Sequence, residues 1–167
     1  MTYRTILSIA LAVGFSPIPA IGTQGTSSAV ADAVKALAAA RPKFRWEVHR
    51  AVVADVNCDG RLDYAIPGAA GKTYAVAVVF GPVKKGEYPT VLEFGLGDAT
   101  KQDSLCSDTA DLKMESLDYD PSGPLGGPLP GFRRSTTCRG LVVIDGACDS
   151  FHIFWNHDAK RLEWWRL

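Results

Sequence analysis

The alternation of apolar and polar residues changes period twice along this chain, and each change marks an element. Between residues 26 and 40, Val30, Val34 and Leu37 recur at i, i+4 and i+7. That spacing places them on one stripe of an α-helix. Ser27 or Ser28 suits its N-terminal cap, and Arg41 and Pro42 end it. From Phe44 the period drops to two. Phe44, Trp46 and Val48 alternate with Arg45, Glu47 and His49, as on a strand with one buried and one wet face. Strands are predicted from 48 to 54 and from 62 to 66, where Pro67-Gly68 should break the run. Residues 74–80, Tyr-Ala-Val-Ala-Val-Val-Phe, are apolar on both faces. This predicts a central strand covered on both sides, with the helix or a second layer as one cover. Further strands are predicted at 88–94, 112–119 and 140–144. A C-terminal hairpin of 151–155 and 162–167 is predicted around Asn156-His-Asp-Ala-Lys160.

The resulting fold class is mainly β (α+β). It is an antiparallel, propeller-blade-like meander with one N-terminal helix and a C-terminal hairpin. The segment between 95 and 138 is the least regular. Within it, Pro121 to Gly131 forms a long proline- and glycine-rich loop carrying Leu125 and Leu129, the kind of loop that often makes contacts. Trp164 and Trp165 are adjacent on a strand, so they face opposite ways. The outward one is a candidate anchor for a partner. Together, Leu125, Leu129, Trp164 and Trp165 are the predicted contact surface.

Candidate chemistry centres on Asp55-Val-Asn57-Cys58-Asp59-Gly60-Arg61-Leu62-Asp63. Oxygen-bearing side chains fall at positions 1, 3, 5 and 9, with glycine at 6 to turn the backbone. Hard oxygen ligands in that number suit Ca2+, which takes six to eight of them. The predicted ligands are the side chains of Asp55, Asn57, Asp59 and Asp63 and the carbonyl of Arg61. An EF-hand would require a bidentate Glu at position 12, and Ile66 stands there. With strands on both flanks, the phrase from Val53 to Ile66 resembles the calcium loop of FG-GAP repeats, which build integrin-type β-propellers. The likeness covers about residues 48–81. Propellers need typically four to eight blades, and one loop of this kind in a chain this short excludes a complete one unless chains assemble. Asp118-Tyr-Asp120 repeats only the first half of the pattern.

Composition then narrows the class. Residues 1–22 read as a secretory signal peptide, with Arg4, an apolar run from Ile6 to Phe15 and small residues at Ala20 and Gly22. The run is too short to span a membrane, which needs about 20 residues. Residues 23–167 then form one domain, secreted or periplasmic. Removing 1–22 removes Arg4 alone among the charged residues and leaves a net charge of −1. That balance gives no reason to expect a nucleic-acid partner. Cys58, Cys106, Cys138 and Cys148 lack zinc-type spacing and suggest two disulfides in an exported chain. Of three pairings, Cys106–Cys138 with Cys58–Cys148 is preferred, because the first staples the irregular stretch and the second braces the calcium loop. No nucleophile elbow and no H-E-x-x-H motif is present. The expected function is an exported, calcium-binding, non-enzymatic module that binds another protein, as an inhibitor or immunity protein does. A calcium-dependent hydrolase or a glycan-binding domain is the alternative.

Overall fold

The computed structural model describes residues 24–84 and 86–167. The expected signal peptide lies outside them. The chain folds as a sandwich of two β-sheets with a helix on one outer face. The helix, α1, runs Gln24–Ala40. The first sheet contains β1 (Arg45–Trp46), β2 (Val52–Ala54), β3 (Asp63–Ala70), β4 (Thr73–Val79), β5 (Thr90–Leu96) and β6 (Ser104–Leu105). Its order is β1-β3-β4-β5-β6, with β2 also pairing β3. The second sheet is a meander, β7 (Asp111–Leu117), β8 (Ser135–Ile144), β9 (Phe151–Asn156) and β10 (Arg161–Trp165), in the order β10-β9-β8-β7. All pairings are antiparallel except β5 with β6.

The mainly β class, the N-terminal helix and the C-terminal hairpin are thus present. The periodicity does not reveal that the strands divide into two facing sheets. Alternation along a strand says which residues are buried, not against which layer. The core between the sheets gathers Tyr74, Val76, Val78 and Phe94 from the first and Leu141, Val143, Phe151 and Ile153 from the second. Burying a side chain of this size stabilises the fold by about 1.5–3 kcal/mol. The other face of β4 lies under α1. There Ala33 packs with Ile66 and Val79. Small residues on both elements let the helix approach closely. On the outer face of the second sheet, Leu117, Cys138 and Phe154 are covered by Tyr119, Leu129, Phe132 and Trp165.

Several boundaries differ from the sequence reading. The run expected as one strand from 48 to 54 is interrupted by a 3-10 turn, Val48–Arg50, so His49 sits on an exposed turn rather than a strand. Pro67 and Gly68 do not break β3, which continues to Ala70. The two departures explain each other. The Pro67 carbonyl accepts the Glu47 N–H at 2.8 Å, so the edge of Pro67 faces the gap between β1 and β2. No ladder bond is required of its missing N–H there. Gly68 is needed because a Cβ would lie 2.5 Å from the Trp46 indole. β5 begins at Thr90, two residues after the expected Tyr88, which is 78% exposed. α1 begins at Gln24, ahead of the serines expected to cap it. β8 starts at Ser135, five residues earlier than expected, and so contains Cys138.

The cysteines pair as Cys58–Cys138 and Cys106–Cys148, which corrects the preferred connectivity. Both bridges join the first sheet to the second. Cys58 follows β2 and Cys138 lies in β8. Cys106 follows β6 and Cys148 lies in the turn between β8 and β9. Neither bridge closes the irregular stretch between Cys106 and Cys138, although Cys58 in the loop is bridged as expected. Their geometry is instead that of rivets between two layers, one at each end of the sandwich.

Candidate metal loop and adjoining cleft

The loop between β2 and β3 is anchored by Val56, which is fully buried in the core. With Val56 pointing inward, its neighbours Asp55 and Asn57 fold their side chains over the loop itself. Asp55 Oδ1 accepts the Asp59 N–H at 3.1 Å and Oδ2 accepts the Gly60 N–H at 3.0 Å. Asn57 Oδ1 accepts the same Asp59 N–H at 3.0 Å, and Asp59 Oδ1 accepts that of Arg61 at 2.9 Å. Two oxygens sharing one donor lie close together, and each retains a second lone pair. The tight course needs two residues at positive φ, Cys58 at 61° and Gly60 at 82°. Cys58 is a non-glycine residue in the left-handed region, where its disulfide to Cys138 holds it.

Asp63, expected among the ligands, is engaged differently. It is fully buried. Its Oδ2 accepts the N–H groups of Val56 (2.8 Å) and Asn57 (3.1 Å), and its Oδ1 accepts that of Gly81 (2.9 Å). Burial pushes its carboxyl above the ordinary range, and the three N–H groups only partly offset this. Asp63 therefore fixes the loop's backbone from beneath. The loop's outer oxygens are those of Asp55, Asn57 and Asp59. Among the described residues no set of three or more His, Cys, Asp and Glu side chains is placed to hold a metal ion. The side-chain donors that the loop presents, two carboxylates and one amide oxygen, are all oxygen. Their chemistry fits a hard cation such as Ca2+ and disfavours zinc, which prefers nitrogen and sulfur.

The loop forms one side of a cleft of about 490 Å³. Asp55, Asp59 and Gly60 lie on that side, and Arg133, Arg134, Ser135 and His157 line the rest. The Asp55 carbonyl accepts the Arg139 N–H at 2.8 Å, which ties the loop to β8. Arg134 donates to Asp118 at 2.6 Å, and Arg133 lies 3.8 Å from Asp158. Both pairs are exposed. Burial lowers the His157 pKa, helped by Arg133 and Lys160, so the imidazole is neutral at pH 7. The second acidic pattern is a local turn. Asp118 pairs with Arg134, and Asp120 accepts the Ser122 N–H at 2.9 Å at the start of the short helix α2 (Ser122–Leu125).

The predicted contact residues are largely engaged within the protein. Trp164 faces the core, with its ring 4.9 Å from that of Phe151. Trp165 faces outward, as the adjacency rule requires, and stacks on His152 at 4.2 Å with 14° between the planes. Leu129 covers Leu117 and Phe154, and Leu125 is half-buried in α2. His152 Nδ1 lies 2.7 Å from Glu115 Oε1, two strands away on β7. The sequence marks Asp145-Gly146 as the start of a turn, and the structure shows what Asp145 holds there. Its Oδ2 accepts the N–H groups of Cys106 (2.6 Å) and Ser107 (3.2 Å), and its Oδ1 those of Ala147 and Cys148 (both 2.9 Å). An aspartate before glycine and three residues before a cysteine was a readable sign of such a turn.

The chain matches no protein-family model, no curated protein and no solved structure. The likeness to FG-GAP loops accordingly rests on the residues of the loop alone. No helix among the described residues is long and apolar enough to cross a membrane.

Proposed function

We propose that the protein is an exported, non-enzymatic recognition module that binds Ca2+ at Asp55, Asn57, Asp59 and the Arg61 carbonyl. Its cleft takes an acidic segment of a protein partner, as an inhibitor or immunity protein would. The observation that carries this reading is that the oxygen loop and the Arg133–Arg134 wall share one cleft. Bound Ca2+ would offset the charge of Asp55 and Asp59, which otherwise repel an acidic ligand. The arginines are held only by exposed ion pairs, which are worth about 0–1 kcal/mol. They can exchange those partners for carboxylates of an incoming chain. Both disulfides support an oxidising compartment, as does the apolar stretch at the start of the chain. The glycan alternative draws less support, because Trp164 and Trp165 are packed on the protein's own rings.

The test is a thermal melt of the oxidised protein with Ca2+ and then with chelator. A hundredfold excess over Kd stabilises a native-state site by about 2.7 kcal/mol. The expected result is a rise in Tm that Asp59→Ala abolishes. Capture from an exported-protein fraction should then require both Ca2+ and the Arg133–Arg134 pair. An unchanged Tm, with no metal in the purified protein, would reduce the loop to a turn and sink the reading.

A further inference from the structure

The Cys58–Cys138 bridge stands where it can govern the oxygen loop. Cys58 lies between Asn57 and Asp59, two of the loop's oxygen residues. Its backbone is left-handed at φ 61°, a conformation unfavourable for a residue with a Cβ. The bridge to β8 holds it there, and both cysteines line the open cleft of about 490 Å³. The three residues after Cys58 close the loop. The N–H groups of Asp59, Gly60 and Arg61 donate to the side chains of Asp55, Asn57 and Asp59. A change at Cys58 therefore passes directly into the bonds that order the oxygens.

The other bridge is placed differently. At the opposite end of the sandwich is a smaller cavity of about 120 Å³, which Arg45, Tyr74, Leu96 and Asp108 help to line. Neither Cys106 nor Cys148 lines it. Asp145 accepts the backbone N–H groups of both cysteines, at 2.6 Å for Cys106 and 2.9 Å for Cys148. That turn therefore keeps a second tie across the bridge, which does not depend on the S–S bond.

From this contrast we propose that Cys58–Cys138 is a redox switch for the oxygen loop. A dithiol reductant opens it through the cleft, while Cys106–Cys148 stays closed as part of the frame. One thiolate of the reductant bonds to Cys58 Sγ. The Cys58–Cys138 bond breaks, and its electron pair leaves on Cys138 Sγ, which takes up a proton. The reductant's second thiolate then attacks its own sulfur in the mixed disulfide, and the pair leaves on Cys58 Sγ, which is protonated in turn. The dithiol ends as a disulfide, and two electrons and two protons have passed to the protein. Freed of the bridge, Cys58 leaves the left-handed region, and Asn57 and Asp59 move with it. The consequence for Ca2+ rests on the calcium reading, but the opening of the bridge and the loss of loop order do not.

The test treats the intact oxidised protein with increasing dithiothreitol under native conditions. Free thiols are trapped with N-ethylmaleimide and mapped by mass spectrometry, and amide hydrogen exchange is read by NMR. Cys58 and Cys138 should be labelled while Cys106 and Cys148 are still joined. The N–H groups of Asp59, Gly60 and Arg61 should then lose protection while those of β4 and β8 keep theirs. Cys58→Ser with Cys138→Ser should show the same selective loss without any label, and reoxidation of unlabelled protein should restore protection. Opening of Cys106–Cys148 first or together with the loop bridge would overturn the proposal. So would full protection of the three N–H groups once Cys58–Cys138 is open. A Ca2+-dependent rise in Tm that the oxidised protein shows and the opened protein lacks would tie the switch to the metal. No rise in the oxidised protein would overturn the calcium reading alone.

Discussion

The two ends of this sandwich are built from the same parts and put them to different use. Each end has one disulfide joining the sheets, and each has one aspartate that collects backbone N–H groups beside it. At the loop end these are Cys58–Cys138 and Asp63, and at the cavity end Cys106–Cys148 and Asp145. Asp63 is fully buried and accepts three N–H groups, and its carboxyl is pushed up because desolvation prevails. At Asp145 burial also pushes the carboxyl up, but four backbone N–H groups outweigh it and the net direction is down. The same device is thus electrostatically strained at one end and relaxed at the other. Hydrogen bonding alone does not settle an aspartate's ionisation. The balance with desolvation does, and one further donor with some exposure reverses it.

Removing either disulfide is the largest way to break this equivalence. The bridges span sequence separations of 80 and 42 residues. Chain entropy then assigns them about 4.5 and about 4 kcal/mol. Cys58→Ala with Cys138→Ala should therefore lower stability slightly more than Cys106→Ala with Cys148→Ala, as read by denaturant unfolding. The first pair should also weaken any response to Ca2+, because Cys58 lies inside the loop at φ 61°. The second pair should leave that response in place. Equal loss of the Ca2+ response in both would show that the loop depends on the whole fold rather than on its own bridge.

The aspartates come next. Asp63→Asn keeps the shape but sets an NH2 group against N–H donors, and leaving buried donors unpaired costs about 1–3 kcal/mol each. A loss of about 2–4 kcal/mol is expected at Asp63 and about 1–2 at the less buried Asp145. Their pH dependences should have opposite signs. The raised pKa of Asp63 means that the folded state binds its proton more readily than the unfolded one. Its contribution to stability therefore falls as pH rises from about 3.9 through the folded value. The lowered pKa of Asp145 means the reverse. Its contribution is complete above about pH 4 and is lost as pH falls through the folded value. Subtracting each variant's stability-versus-pH curve from the parent's isolates these slopes from the other carboxylates. Slopes of the same sign would end the contrast between the two ends.

What the sequence revealed follows the same division. The loop end was legible because its chemistry is contiguous. Asp55, Asn57, Asp59 and Gly60 lie within six residues, and spacing alone brings them together. The helix, the central strand β4 and the opposed tryptophans were legible for a similar reason, since local periodicity encodes burial. The cavity end was hidden because its residues meet only through sheet register. Arg45, Tyr74, Leu96 and Asp108 are far apart in sequence, and no pattern along the chain joins them. The disulfide pairing failed on the same ground, as it depends on which strands face across the core. Asp63 shows a third limit. The residue was identified, but whether a carboxylate faces a loop's outside or its backbone depends on donors such as Gly81, which is 18 residues away.

The smallest effect probes the turn itself. Gly60 sits at φ +82°, and a Cβ added there would meet nothing within 4 Å. Gly60→Ala therefore tests backbone conformation without any packing change. The left-handed region costs an L-residue about 1–2 kcal/mol. Part of that is returned by the lower entropy of the unfolded chain, so a net loss near 1 kcal/mol is expected in chelator. Gly146 offers a matched control at the other end, in the turn beside Asp145. It sits at φ +72° and also has open space around a Cβ. Gly146→Ala should cost about the same as Gly60→Ala in chelator. In Ca2+ the two should separate. A loop held by an ion tolerates less distortion, so Gly60→Ala should lose more of the Ca2+-dependent gain in Tm than Gly146→Ala. If both variants keep the full gain, the turn at Gly60 is not what positions the oxygens. The burden of shaping the loop would then fall on Asp63 and the Cys58 bridge.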